Sequence, residues 1–152
     1  MVSKQVIQQR LAQFQDVAKK AGVKLTHQRL EIFRVVASSE EHPSAEAVYN
    51  EVREYMPTVS LDTVYRTLWL LTDLGLLATV APRESSMRFD ANLTHHHHFR
   101  CVRCGLLRDF DSDELDALSV PDAVKRFGQV VSTNVEIRGI CPECAKASDE
   151  TR

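Results

Sequence analysis

The stretch His95–Cys104 reads His-His-His-His-Phe-Arg-Cys-Val-Arg-Cys and packs two kinds of metal donor together. Imidazole nitrogens come first and thiolate sulfurs follow. All four cysteines of the chain fall in two Cys-x-x-Cys pairs, Cys101/Cys104 and Cys141/Cys144. Two intervening residues let both sulfurs of a pair reach one tetrahedral ion, so the pairs predict a zinc site made of four cysteines. Four thiolates leave no open coordination position, and the predicted role is structural. The competing reading is two redox-active or disulfide-bonded dithiols, which a reducing cytosol disfavours.

The histidines predict a second kind of site. On a strand, alternate side chains share a face. His96 and His98 then point one way, and His95 and His97 the other. Asp90, Asp109 and His42 are candidate partners, although spacing alone does not choose among them, and a lone His42 or Asp90 is more often plain surface. Imidazole with carboxylate suits a borderline or hard divalent ion such as Fe²⁺, Mn²⁺ or Zn²⁺.

The elements that must hold these residues follow from periodicity and punctuation. Ile7, Leu11, Phe14, Ala18 and Ala21 recur on one helical face, predicting a helix over 3–21 that Gly22 ends. Thr26 is a cap for a second helix to Ser38, with Leu30, Phe33 and Ala37 inward. Ser44 caps a third helix through Tyr55, after the loop that carries His42. Ser60 caps a fourth, with Leu61, Val64, Leu68 and Leu71 inward, and Gly75 stops it. Two β-like runs follow, Leu77–Ala81 and Met87–Asp90, around a turn at Pro82–Ser86. Helices followed by a two-stranded ribbon are the order of a winged helix-turn-helix, with the fourth helix as recognition helix.

Residues 91–95 read as a linker between a winged-helix domain at 1–90 and a smaller domain at 96–152. The smaller domain predicts strands at His96–Val102 and Leu106–Phe110 and one or two helices within 112–128. It ends with a half-buried strand with Val131, Thr133, Val135 and Ile137 on one face, then the second cysteine pair and a polar tail. The fold class is α+β.

Net charge is −2, but it is unevenly spread. Residues 1–34 carry Lys4, Arg10, Lys19, Lys20, Lys24, Arg29 and Arg34 against Asp16 and Glu31. Residues 109–122 carry acidic groups and no Lys or Arg. One end suits phosphate and the other does not. No run approaches the ~20 apolar residues of a membrane span, and residues 1–11 lack a signal-peptide core, so a cytoplasmic protein is expected.

Taken together, LTHQR at 25–29, HPSAEAVY at 42–49, VSLDTVYRTL at 59–68, GLL at 75–77, RFD at 88–90, HHHHFRCVRCG at 95–105 and CPEC at 141–144 resemble the ferric uptake regulator (Fur) family of bacterial metal-dependent repressors. The pieces run in the family order over nearly the whole chain. The resemblance implies a winged-helix DNA-binding domain, a C-terminal α/β dimerisation domain and a regulatory metal between them. It implies a homodimer on double-stranded DNA with an inverted-repeat operator.

Within the family the chain is most similar to the peroxide-sensing (PerR) branch, which implies three His and two Asp around Fe²⁺ or Mn²⁺: His42, Asp90, His96, His98 and Asp109. The iron-sensing branch usually has Glu at both Asp positions. The resemblance makes His42 and His96 the expected oxidation targets. A further site of iron sensors needs an Asp and a His where this chain has His97 and Thr133. On DNA, Thr63, Tyr65 and Arg66 lie near the start of the recognition helix, with Arg66 expected on phosphate and Tyr65 on a thymine methyl. By resemblance Lys24 enters the minor groove.

Other classes make different demands. An iron- or zinc-responsive repressor would bind DNA with metal and ignore peroxide. A zinc hydrolase needs an open zinc with a general base beside it, and no such pattern stands in the sequence. A zinc-ribbon interaction module would not need Arg66 for specific DNA binding.

Overall fold

Each of the first helices starts where a hydroxyl can close its first turn. The computed structural model describes residues 1–80 and 87–149 and places α1 at Lys4–Lys20, α2 at His27–Ser38, α3 at Ala45–Val52 and α4 at Leu61–Asp73. Ser3, Thr26, Ser44 and Ser60 are their caps, each side-chain oxygen accepting from the backbone N–H three residues on. Such a cap is worth about 1 kcal/mol. Gly22 and Gly75 follow α1 and α4 with positive φ.

The apolar faces of these helices form one core around Phe14, Ile32, Phe33, Val48, Val64, Leu68 and Leu71. The Phe14 and Phe33 rings pack at 5.0 Å between centroids. Leu61, expected inward, is exposed because it occupies the first helical position. The third helix stops at Val52, and turns carry the chain through Tyr55. Strands β1 (Ala78–Val80) and β2 (Arg88–Asp90) pair antiparallel, Ala78 opposite Asp90, and form the expected ribbon. The turn expected at Pro82–Ser86 lies outside the described residues. This first compact unit spans Met1–Leu93, and a second spans Thr94–Arg152.

In the second unit, β3 (His97–Cys101) is the middle strand of a sheet ordered β4-β3-β5. Strand β4 (Leu107–Phe110) runs antiparallel to it, with His98 opposite Asp109. Strand β5 (Glu136–Gly139) runs parallel, with Cys101 opposite Gly139. Two four-residue helices, α5 (Asp113–Asp116) and α6 (Asp122–Lys125), fall within 112–128, where one or two helices are expected. The strand expected from Val131 contracts to β5, and Val131 stands 94% exposed. The reason is register: the ladder with β3 begins at His98–Glu136, with the Val135 carbonyl accepting from the His98 N–H just ahead of it. Cys144 and the start of the polar tail fall in helix α7 (Pro142–Asp149), with proline at the first position, where its missing N–H costs nothing.

Gly139 permits the close pairing of β5 with β3. A Cβ there would stand 2.8 Å from the Phe99 ring. Gly139→Ala is therefore expected to push β5 away and destabilise the second unit by roughly 1–3 kcal/mol, the range for overpacking. Thermal unfolding monitored together with zinc retention measures this, because Cys141 lies two residues on.

Candidate functional site

Strand β3 and the turn after it carry Cys101 and Cys104, while the chain leaving β5 carries Cys141 and Cys144. The parallel pairing of Cys101 with Gly139 brings the two cysteine pairs together, and the four sulfurs lie within 4.8 Å of one another. Cys104 Sγ and Cys141 Sγ are 3.7 Å apart. A tetrahedron with metal–sulfur bonds of about 2.3 Å has edges of about 3.8 Å, so the spacing fits zinc.

The surroundings favour one thiolate strongly. The Cys141 N–H donates to Cys101 Sγ at 3.3 Å. Backbone N–H groups around Cys104 and Cys141 pull the Cys101 thiol down to about 6. Cys144, hydrogen-bonded to Cys141 and desolvated, is pushed up to about 12. Sulfurs this close cannot all ionise unless a cation offsets their repulsion, which is what a structural zinc supplies. Gly105 completes the turn at φ 75, and its N–H donates to the Cys101 carbonyl at 3.0 Å.

The alternation of the histidine run is as expected. On one side, His96 Nε2, His98 Nε2 and Asp109 Oδ1 converge: 3.1 Å between the two nitrogens, 3.4 Å and 3.2 Å from each to the carboxylate. Donors about 2.1 Å from one ion stand about 3.0–3.4 Å apart, depending on geometry. His96 Nδ1 lies 2.6 Å from the Thr94 carbonyl, so the ring donates there and leaves its Nε2 lone pair facing the other two groups. Metal-bound histidines are commonly oriented this way. A lone pair aimed at a carboxylate calls for a cation between them, and the donor chemistry fits a divalent ion.

His42 and Asp90 belong to the first unit. His42 sits in the loop before α3 and is the one described non-glycine residue with positive φ, at 52°. That backbone conformation costs about 1–3 kcal/mol and persists where surroundings enforce it. Its Nε2 lies 3.2 Å from Asp90 Oδ2 at the end of β2, with both side chains buried. The Asp90 carboxylate is also held by the Asn92 N–H at 2.7 Å. An imidazole and a carboxylate buried side by side are donors that could hold part of a divalent ion's shell.

The other face of β3 carries a cluster not foreseen as a unit. Val135 N–H donates to His97 Nδ1 at 3.0 Å, so neutral His97 carries its proton on Nε2 and donates to Asp116 Oδ1 at 2.9 Å. His95 Nε2 reaches the same oxygen at 2.8 Å. Both ring nitrogens of His97, a residue 1% exposed, are thereby engaged by protein groups. Strand alternation placed His95 and His97 together, but the partner Asp116 was hidden in an acidic run.

The expected DNA contacts all lie in the first unit. Arg66 extends from α4 into solvent and pairs with Asp62 at 2.9 Å. With Thr63 it borders a groove of about 280 Å³ that also takes in Thr26, Gln28 and Arg29. Thr63 is partly occupied: its hydroxyl shares a 2.9 Å hydrogen bond with the capping Ser60. The Tyr65 hydroxyl donates to Glu46 at 2.6 Å, which leaves the ring as the part of that side chain able to meet a base. That bond holds the Glu46 carboxyl below its usual range. Lys24 is exposed, and its carbonyl accepts from Arg29 at 2.5 Å. Among the described residues no helix is long and apolar enough to cross a membrane.

Residues 20–138 match the model of the Ferric uptake regulator family. A peroxide-responsive repressor, PerR, from Staphylococcus epidermidis is 36% identical over 127 residues, covering 83% of this chain and 84% of that protein. The solved ferric uptake regulator of Helicobacter pylori, described as having three functional metal binding sites, superposes with a TM-score of 0.76 at 25% identity, covering 95% of this chain and 97% of that one. A zinc uptake regulator solved with zinc and DNA superposes at 0.65 with 26% identity, covering 94% and 97%.

Proposed function

This chain belongs to the ferric uptake regulator family, and we propose that it is a metal-dependent repressor that senses peroxide through oxidation of its own metal-ligand histidines. The family is one of transcription regulators, so the chain is not an enzyme. The observation that carries the reading is the donor set. Two imidazoles and a carboxylate converge around His96, His98 and Asp109, and a second imidazole–carboxylate pair stands at His42 and Asp90. Three histidines, two aspartates and no sulfur make a shell for Fe²⁺ or Mn²⁺. The peroxide-responsive relatives, 33–36% identical over most of the chain, support the same branch.

In this reading zinc occupies the four thiolates, and the regulatory ion takes His42, Asp90, His96, His98 and Asp109 as its ligands. Filling the shell selects the arrangement in which the recognition helices of a homodimer match successive major grooves of an inverted-repeat operator. The exposed apolar side chains of Phe127, Val131 and Ile137 are consistent with a surface that a second copy covers. Arg66 meets phosphate, the Tyr65 ring meets a thymine methyl, and Lys24 and Thr63 flank them. The protein works in the cytoplasm.

Bound Fe²⁺ would reduce peroxide and so supply a short-lived oxidant within the site. Each peroxide would oxidise one ring, His42 or His96: one oxygen bonds to the carbon between the ring nitrogens, that carbon's hydrogen passes to a ring nitrogen, and the other oxygen leaves as water. An oxidised ring donates poorly, the ion departs and DNA is released. The thiolates take no part.

The test is operator binding by anisotropy with Fe²⁺ or Mn²⁺, before and after stoichiometric peroxide. Loss of binding in the iron sample alone is expected. Equal retention in both would leave a repressor that responds to metal and not to peroxide, the reading that the likeness to the Helicobacter pylori regulator favours.

A further inference from the structure

The loop that carries His42 is fastened to β2 through one side chain. Arg88 Nη1 donates to the carbonyls of Glu41 and His42, at 3.2 and 3.3 Å. The backbone of the same strand reinforces it: Phe89 N–H donates to the Pro43 carbonyl at 3.0 Å, and Ser44 forms a bridge with Arg88. Residues 41–44 are thus tied to β2 at each position, and Asp90, two residues further along β2, meets the His42 ring. The left-handed backbone at His42 is enforced where its own carbonyl is gripped by a cation.

We infer that Arg88 is a positioning residue for the regulatory metal: it holds the strained His42 loop against β2, so that the His42 imidazole and the Asp90 carboxylate are presented together before any ion arrives. Arg88 grips the loop at two backbone carbonyls and acts through the backbone. The inference rests on His42 and Asp90 being metal ligands. A guanidinium suits the task because it stays charged and can share its donors between two neighbouring carbonyls. Without it, the loop can relax out of the left-handed conformation, and part of the ion's binding energy must be spent on re-forming it. Groups that orient metal ligands commonly alter affinity by about 10–100-fold when removed.

The experiment compares wild type, Arg88→Ala, Arg88→Lys and His42→Ala as zinc-loaded full chains. Mn²⁺ affinity is read by titration, and amide exchange of Phe89 is read in the protein without Mn²⁺. Arg88→Ala is expected to weaken Mn²⁺ binding roughly tenfold and to speed Phe89 exchange, with zinc content unchanged. Arg88→Lys should recover part of both losses, and His42→Ala should lose more affinity than either. Should Arg88→Ala fail to fold, Arg88→Lys carries the decision, since it keeps the charge and the stem. Wild-type Mn²⁺ affinity in the Arg88 variants beside a weakened His42→Ala would overturn the clamp and leave the ligand assignment standing. Wild-type affinity in His42→Ala would overturn the assignment itself, and the clamp with it.

Discussion

Cys101→Ser is expected to abolish zinc retention and unfold the second unit while the first keeps its helices. Among the described residues the second unit buries only His97, Cys101, Leu107 and Cys141, so two of its four core positions are thiolate donors. Such a core supplies too little apolar burial to offset chain entropy in a unit of this size. Structural zinc in small domains contributes about 10–16 kcal/mol, most of which depends on a complete thiolate set. Amides from both cysteine pairs hold the Cys101 thiol down to about 6, and serine cannot supply that anion. The first unit has its own core, from Phe14 to Ala91, and does not draw on the sulfurs. Zinc released to a chromophoric chelator, with far-UV circular dichroism in parallel, checks this. Stoichiometric zinc or an intact second unit in Cys101→Ser would count against the structural role.

The second large effect is expected at the regulatory shell. His98→Ala should weaken Mn²⁺ binding by at least about a hundredfold, since changes outside the ligands alone reach about that size. Zinc content and thermal unfolding should stay near wild type, because His98 is only partly buried and stands on the opposite face of β3 from His97. Operator binding should then be lost at metal concentrations that saturate the wild type. An ion can shift an equilibrium only by its differential affinity for the two states, and moving a population from 1:99 to 99:1 takes about 5.5 kcal/mol. Losing one ligand removes a large share of that difference. Isothermal titration with Mn²⁺ and anisotropy on the same samples separate the two steps. Normal DNA binding by a variant that no longer holds Mn²⁺ would break the link between the site and the switch.

Much of the first unit was legible because its signals are local. Thr26, Ser44 and Ser60 announce their helices through a hydrogen bond that spans three residues, and Val64, Leu68 and Leu71 share a face by period alone. The alternation of His95–His98 likewise followed from strand geometry. What escaped depends on long-range pairing. The strand expected from Val131 contracts because β5 is defined by its parallel register with β3, which no local pattern encodes. Helix α7 was missed because a short, polar sequence after a cysteine pair offers no apolar stripe. Asp116 was one acid among several until the fold set it under two imidazoles. The hydrogen bond from the Tyr65 hydroxyl to Glu46, nineteen residues away, likewise has no local sign, and it leaves the ring, the part expected on a thymine methyl, uninvolved.

Peroxide sensing requires that this chain's histidines record the oxidant. The direct measurement loads the zinc-containing protein anaerobically with Fe²⁺, adds stoichiometric peroxide and maps added oxygen by peptide mass spectrometry, with a Mn²⁺ sample beside it. One oxygen on the peptides carrying His42 and His96, in the iron sample alone, is the predicted result. Unmodified histidines in iron-loaded protein, or equal oxidation with manganese, would contradict it.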